Sequence, residues 1–294
     1  MKFLDLHVDD ESALGVRDAA GNGVSVVAGS GSGVASAVPA ANAGALATLE
    51  PVTLEGLTAA ADLQRRFDTK YVVPKHVADD LLARLSSAWF ALEIDGQRHQ
   101  PYRSTYFDTP DLATFRAHQQ RRRRRYKIRT RTYAAGQTML ELKVKDNAGR
   151  TIKYRCEHPE TDPEYFSGRA RAFVAEQLAD SYGFDLPDRL VVSARTQYLR
   201  ATVANLDVGE RVTIDTGLQV QTSDRQVVFD PDYALVETKT AKGNGEVDRL
   251  LRKLGVRPLR VSKYALGIAV LHPQLPSNHW RAAMRKLYAG ATLA

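Results

Sequence analysis

Apolar and polar residues alternate at period two through most of the chain after residue 100, and apolar residues fall at helical spacing in only a few places. Alternation marks strands, because successive strand side chains point to opposite faces; spacing of three and four marks helices. Strands are therefore expected at 68–73, at 102–108, through the arginine-rich run to 133, and at 138–145, 150–156, 190–200, 211–216, 218–221, 226–229 and 234–239. Short turns at 134–136 and 146–149 join three of them into an antiparallel meander. One helix is expected from Pro74, a residue suited to a first helical turn, through about Trp89 on a stripe of Val77, Leu81, Leu82 and Leu85. A second runs from a cap at Thr161 or Asp162 to Gly183, with Phe166, Ala170, Phe173, Val174 and Leu178 inward. Others are expected at 247–254, from Ser262 to 271, and from a Ser277 cap through Tyr288 to a stop at Gly290. Eight or more strands in hairpin-like succession, with few helices, predict a mainly β (α+β) fold, an antiparallel barrel or sandwich; a barrel of about eight strands has an interior that can hold one small ligand.

The first 50 residues follow neither period. Gly and Ser dominate 21–33 and Ala the stretch to 47, which leaves few large side chains to repay the entropy of ordering. A flexible tail is expected at 1–50 and one folded domain at 51–294. Charge divides at the same place. The tail carries two bases against six acids, a net of −4, so the rest carries +11 within a total of +7. A basic folded part calls for a polyanionic partner: nucleic acid, a phosphate-rich small molecule or an anionic membrane surface. The single Cys156 excludes an internal disulfide and fits a reducing, cytoplasmic setting. No apolar run is long enough to span a bilayer, and Met1 to Glu11 lacks a signal-peptide layout.

The most basic stretch, 121–131, has eight bases among eleven residues. In strand register Arg121, Arg123, Arg125, Lys127, Arg129 and Arg131 share one face, and Tyr126, Ile128, Thr130 and Thr132 the other. The pattern recurs. Glu141, Lys143 and Lys145 alternate with Leu142 and Val144; Lys153 pairs with Arg155, and Tyr198 with Arg200. Arg211, Thr213 and Asp215 alternate with Val212 and Ile214, while Leu235, Glu237 and Lys239 share a face. For any one strand the ordinary reading is a solvated outer surface. Repetition over five or six strands, with a few carboxylates among many bases, favours the inverse: a charged lumen, with the apolar faces outside under helices. Burying so many bases without partners is too costly, so such a lumen must be wet and hold an anion. A linear chain of phosphates fits, taking forked hydrogen bonds from Arg and point contacts from Lys. The carboxylates would then hold a divalent cation. His76, His118 and His158 show no metal-ligand spacing and are expected to be structural or surface residues.

Several motifs, in order, resemble those of the VTC domain, the polyphosphate-polymerase branch of the CYTH-like triphosphate tunnel metalloenzymes. They are Asp68-Thr-Lys70-Tyr71, Tyr106-Phe-Asp-Thr109, Lys127-Ile-Arg129-Thr-Arg131, Glu141-Leu-Lys143, Tyr198-Leu-Arg200, Arg211-Val-Thr-Ile-Asp215, Leu235-Val-Glu237-Thr-Lys239 and Arg260-Val-Ser262-Lys263-Tyr264. The resemblance covers about Asp62 to Leu271, and departs from the family where Arg260 stands for a lysine. It implies a closed eight-stranded antiparallel β-barrel with peripheral helices, its tunnel walled by Arg and Lys, use of ATP with Mn2+ or Mg2+, and transfer of the γ-phosphoryl group to a growing polyphosphate chain. By that resemblance Lys70, Arg129, Arg131, Lys143, Arg200, Arg211 and Lys263 grip the triphosphate and product. Tyr198, Ser262, Arg260, Lys153, Lys239 and Lys127 are further phosphate contacts. Glu237 is the first metal candidate, with Asp68, Glu141 and Asp215 secondary. No side-chain nucleophile is needed, since the acceptor's terminal phosphate can attack.

Three alternatives remain open. The same tunnel could hydrolyse tripolyphosphate or a nucleoside triphosphate, or could bind polyphosphate or inositol phosphates without turnover. Nucleic acid is the least favoured, because bases recur on separate strands and the aromatics form no stacking platform. Arg121 to Arg124 are expected to lie before the strand proper, and read equally as a solvated approach or as a funnel for a polyanion. The basic C-terminal helix, with Trp280, Arg281, Met284, Arg285, Lys286 and Leu287, is expected to pack on the barrel rather than lie on a membrane. Coupling to a membrane would require a membrane-protein partner at its inner face.

Overall fold

Two parities decide the architecture. In the computed structural model Ile128, Leu140, Leu142 and Val144 bury against Ala170, Val174 and Leu178 of a helix. The intervening Lys127, Arg129, Arg131, Glu141, Lys143 and Lys145 all face one internal cavity. The charges therefore point in and the apolar faces point out under helices, the less common of the two arrangements the sequence allows.

The structure describes residues 40–60, 67–133, 136–146, 150–287 and 292–293. The chain begins with α1 (Ala40–Ala47), β1 (Glu50–Val52), α2 (Leu54–Ala60), β2 (Phe67–Pro74), α3 (Lys75–Ala83), β3 (Trp89–Leu92) and β4 (Gln100–Asp108). It continues with α4 (Ala113–Gln119), β5 (Tyr126–Thr132), β6 (Thr138–Lys145), β7 (Thr151–Glu157), α5 (Gly168–Tyr182), β8 (Val191–Asn205) and β9 (Glu210–Gln221). It ends with β10 (Gln226–Val228), β11 (Tyr233–Thr240), α6 (Glu246–Lys253), α7 (Lys263–Leu271), α8 (Arg281–Leu287) and β12 (Thr292–Leu293).

All twelve strands form one sheet. Eight of them, in the antiparallel order β2-β11-β9-β8-β4-β5-β6-β7, curl around the cavity. The expected closed barrel is not observed: among the described residues no pairing joins β7 to β2. Both facing edges carry bases, Lys153 and Arg155 on β7 and Lys70 on β2, and like charges opposed across a sheet are destabilising.

The space inside the curl is shared. Helix α7 is buried from Tyr264 to Leu271. It packs with Val72, Tyr102, Tyr106, Tyr198 and Leu235, which have the same strand parity as the cavity-lining residues. A helix apolar all round must be enclosed, and α7 fills the apolar part of the interior. Its close approach to β9 requires Gly267, where a Cβ would lie 2.3 Å from Val220 Cγ1.

Several local expectations change. Helix α3 stops at Ala83, and Trp89 opens a strand instead of ending that helix. Short α4 stands where only a turn was expected, and β5 starts at Tyr126, so Arg125 joins Arg121 to Arg124 in preceding the strand. Ser167, not Thr161 or Asp162, caps α5 by accepting from Ala170 N at 3.2 Å. The runs 211–216 and 218–221 are one strand, with Gly217 at φ +63° where the register shifts against β8. The expected C-terminal helix is a short 3-10 turn, Asn278–Trp280, followed by α8, and Ser277 makes no capping bond; the stop at Gly290 lies outside the described residues. Trp280, Ala283 and Leu287 pack into the core. The flexible tail cannot reach residue 50, because Leu46 and Leu49 are buried in the cluster that includes Leu81 and Leu82 of α3. The rest of that expectation, at 1–39, lies outside the described residues. No described helix is long and apolar enough to cross a membrane.

Candidate active site

The cavity has a volume of about 390 Å³ and takes side chains from all eight curled strands. Lining it are eleven bases (Lys70, Arg125, Lys127, Arg129, Arg131, Lys143, Lys145, Lys153, Arg200, Lys239 and Lys263) and four carboxylates (Asp68, Glu141, Asp215 and Glu237). Tyr106, His118, Tyr198 and Ser262 are among its other polar lining groups.

Strand register sets the charge pattern. Lys70 lies opposite Glu237, and Asp68 opposite Lys239, so adjoining β2 and β11 carry a checkerboard. Lys70 Nζ donates to Glu237 Oε1. On the next strands Arg129 lies opposite Glu141 and bonds it, with Lys153 Nζ at 3.9 Å from the other oxygen. Arg200 donates to both oxygens of Asp215 at 2.7 and 3.0 Å, and Lys263 reaches the same carboxylate at 2.5 Å. Arg200 is only 5% exposed and Asp215 2%. Ring faces hold the bases in place: Arg200 lies 4.7 Å from the Tyr102 centroid, and Lys263 4.4 Å from that of Tyr198.

Excess positive charge shows in the titration behaviour. Burial pushes Lys127 down to about 7, reinforced by Lys143 and Arg129. Burial, then Arg129, brings Lys143 to about 8; burial brings Lys153 to about 5. The carboxylates move the other way. Burial alone would raise Glu141 and Glu237, but the surrounding bases outweigh it and hold both well below the usual carboxylate range. Asp215 is lowered similarly by Arg200 and Lys263. Buried Arg131 Nε and Glu141 Oε1 have no hydrogen-bond partner among the described residues. Such groups are expensive unless a ligand or water satisfies them.

Most residues singled out from sequence meet in this cavity, with two exceptions. Arg211 is buried on the parity of Asp215 but does not line it, because it sits at the strand end beyond Thr213. Arg260 is exposed in the segment before α7 and does not line it. Participants without an expected role include Arg125, Lys145, Tyr106 and His118. Arg125 and Lys145 share parity with residues that were chosen, and that was the available signal. Tyr106 is within 3.3 Å of Arg129 Nη1 and stacks on Tyr264. His118 corrects the reading of the histidines as structural or surface groups. Its Nε2 is 3.3 Å from Lys127 Nζ, and burial followed by Lys127 lowers its pKa to about 2. It therefore stays neutral and can accept from the lysine. No sequence signal placed it there, because it stands on the unforeseen α4.

The arrangement of strands, lumen and bases is matched by a family description. The model of the VTC domain aligns with residues 65–272. The chain belongs to the VTC domain family. No curated protein matches this VTC domain. Similar solved structures include a Hippeastrum protein proposed as an adenylyl cyclase and described as having a dominant triphosphatase activity, at 18% identity and a TM-score of 0.42, over 68% of this chain and 93% of that one. A proposed adenylate cyclase from Vibrio parahaemolyticus aligns at 12% identity and 0.39, over 67% and 94%. An inorganic triphosphatase aligns at 15% and 0.25, over 61% and 75%. These likenesses are too distant to assign an activity.

Proposed function

We propose that this VTC domain transfers the γ-phosphoryl group of ATP to a polyphosphate chain held in the lumen. The observation that carries the reading is the imbalance of eleven bases against four carboxylates around one cavity. Only a multiply charged anion, in contact with several strands at once, balances it. Arg129, Arg131, Lys143, Arg200 and Lys263 hold phosphate oxygens; Lys70, Lys127, Lys153, Lys239, Tyr198 and Ser262 extend the grip. The Ser262 hydroxyl, 3.0 Å from Lys127 Nζ, also caps α7, whose N-terminal dipole favours an anion there. Phosphoryl transfer asks mainly for positioning and charge stabilisation, which fixed guanidinium groups provide. Transfer to phosphate is favoured over hydrolysis on one ground. Glu141, Asp215 and Glu237 are each bound to a base and held below the usual carboxylate range, so they are weak bases toward water. A phosphate acceptor arrives already ionised.

A divalent cation fits this site in one way. Among the described residues no three His, Cys, Asp or Glu side chains converge, so the donor set does not suit an ion held by protein alone. It suits Mg2+ or Mn2+ carried by phosphate oxygens, for which one or two carboxylates suffice. Glu237 would hold it, with Asp68 on the adjoining strand, and the ion would offset phosphate charge. Incubation with ATP and Mn2+ or Mg2+, followed by gel analysis, should yield long-chain polyphosphate. Orthophosphate alone would establish hydrolysis, and binding without turnover a sensor.

A further inference from the structure

Arg121 to Arg124 do not lie in the strand. They form the turn from α4 to β5, and its backbone is fixed. Arg122 N–H bonds Ala117 O at 2.9 Å and Arg121 N–H bonds His118 O at 3.2 Å. This double closure is a Schellman turn, and Arg121 occupies its left-handed position at φ +54°, where glycine is the usual residue. Three of the side chains are held by separate neighbours. Arg121 Nη2 lies 2.9 Å from His279 Nδ1, and Arg122 Nε donates to Gln120 Oε1 at 2.8 Å. Arg124 lies 5.7 Å from the Phe184 centroid and donates to Tyr182 O. All four arginines are exposed, and among the described residues no carboxylate pairs with any of them.

The turn adjoins the cavity. Arg125 lines the lumen and donates to Arg122 O at 2.6 Å. Lys145, also in the lining, feels the like charge of Arg125 and the opposite charge of exposed Asp68. Inside, β5 carries bases from Lys127 to Arg131; with Arg125 the row covers six residues of chain, about 20 Å at 3.3 Å per residue. The four outer arginines begin where that row ends.

We propose that Arg121 to Arg124 are an outer track for the stretch of a condensed phosphate chain that the lumen does not hold, so that the domain prefers long chains to tripolyphosphate. This rests on the phosphate-chain reading of the lumen. RNA fits less well: the aromatic ring beside the turn, Phe184, already lies against Arg124, so stacking for bases is occupied. A membrane fits less well because residues 120–125 offer no apolar side chain to insert.

The test measures binding only, on the full chain without ATP. Calorimetry would compare tripolyphosphate with long-chain polyphosphate for wild type and for the fourfold variant Arg121→Ser, Arg122→Ser, Arg123→Ser, Arg124→Ser. The variant should lose about tenfold or more in long-chain affinity, and its plot of log affinity against log salt should flatten by about 0.7 per lost contact. Tripolyphosphate affinity should stay within about twofold, since exposed charges beyond a Debye length are screened. The double variant Arg122→Ser, Arg123→Ser spares the groups packed on His279 and Phe184; it should show half the effect in log units if the fourfold variant misfolds. Unchanged long-chain affinity, an equal loss for both ligands, or an equal run-dependent affinity for single-stranded RNA would each overturn the proposal. Absence of polyphosphate synthesis would count against phosphoryl transfer and leave the track standing, whereas failure of wild type to bind either phosphate would remove both.

Discussion

Binding of a polyphosphate chain should draw protons into the protein. The perturbation is the arrival of phosphate oxygens beside Lys127 and Lys143, whose pKa values of about 7 and about 8 reflect burial and then neighbouring bases. Opposite charge at close range favours the protonated amine. At pH 8 the empty site holds about a tenth of a proton on Lys127 and about half on Lys143; if both return to the ordinary value near 10.4, these two amines gain about 1.4 protons. At pH 7 the gain from these two falls to about 0.6, and below about pH 6 they are already charged, so any uptake that remains there belongs to Lys153, which burial holds at about 5. The sign follows: the bound form holds more protons, so affinity rises as pH falls from 8.5 to 6.5. Long-chain polyphosphate without metal is the suitable probe, because its internal phosphates stay ionised over this range. Calorimetry at pH 8 in buffers of different ionisation heat reads the uptake directly, and Lys127→Met should remove about one proton of it. Zero exchange, or release, would refute the charge balance deduced for the lumen.

Three further outcomes are expected. Glu237→Gln should lower metal-dependent turnover by about 100-fold or more while leaving metal-free polyphosphate affinity equal or tighter; full activity in the variant would remove Glu237 from the reaction. Glu141→Gln leaves Arg129 without its buried partner and should cost about 3–5 kcal/mol of stability, a loss that thermal melts should show being recovered by added polyphosphate. Gly267→Ala should destabilise by about 1–3 kcal/mol, because the new methyl overlaps Val220 across the α7–β9 contact; an unchanged melting temperature would mean that α7 can shift outward.

The lumen was legible because charge followed strand parity. Arg129, Glu141, Lys143, Glu237 and Lys239 alternate with buried aliphatics, and local periodicity carries that information without any knowledge of the fold. Arg211 and Arg260 have the right residue type but lie outside the lining, because the length of the cavity depends on how the sheet curls. Closure was misjudged for the same reason: the gap between β2 and β7 is a property of strands about 80 residues apart in sequence. The place of α7 inside the curl had a signal, since Tyr264 to Leu271 offers no polar face, yet the segment was expected to lie outside. Helix α4 had a weaker one. Its entrance is held by Asp108, which accepts from Thr114 N, Phe115 N and Tyr264 Oη, so it depends on a partner 156 positions away. With α4 hidden, His118 and the turn of arginines could not be placed.

The gap between β2 and β7 bears on how a long polymer is handled. A sealed pipe must be threaded from a free end, and release slows as the polymer lengthens. Here the groups bordering the gap, Asp68 and Lys70 on one side and Thr151 and Lys153 on the other, are side chains, and no described backbone ladder crosses between them. Among the described residues, sideways passage would need those side chains to rearrange and no strand pairing to break, so a polymer could be laid in or lifted out along its length. Escape would then depend on the number of contacts broken at the slot and not on the length of the trailing strand.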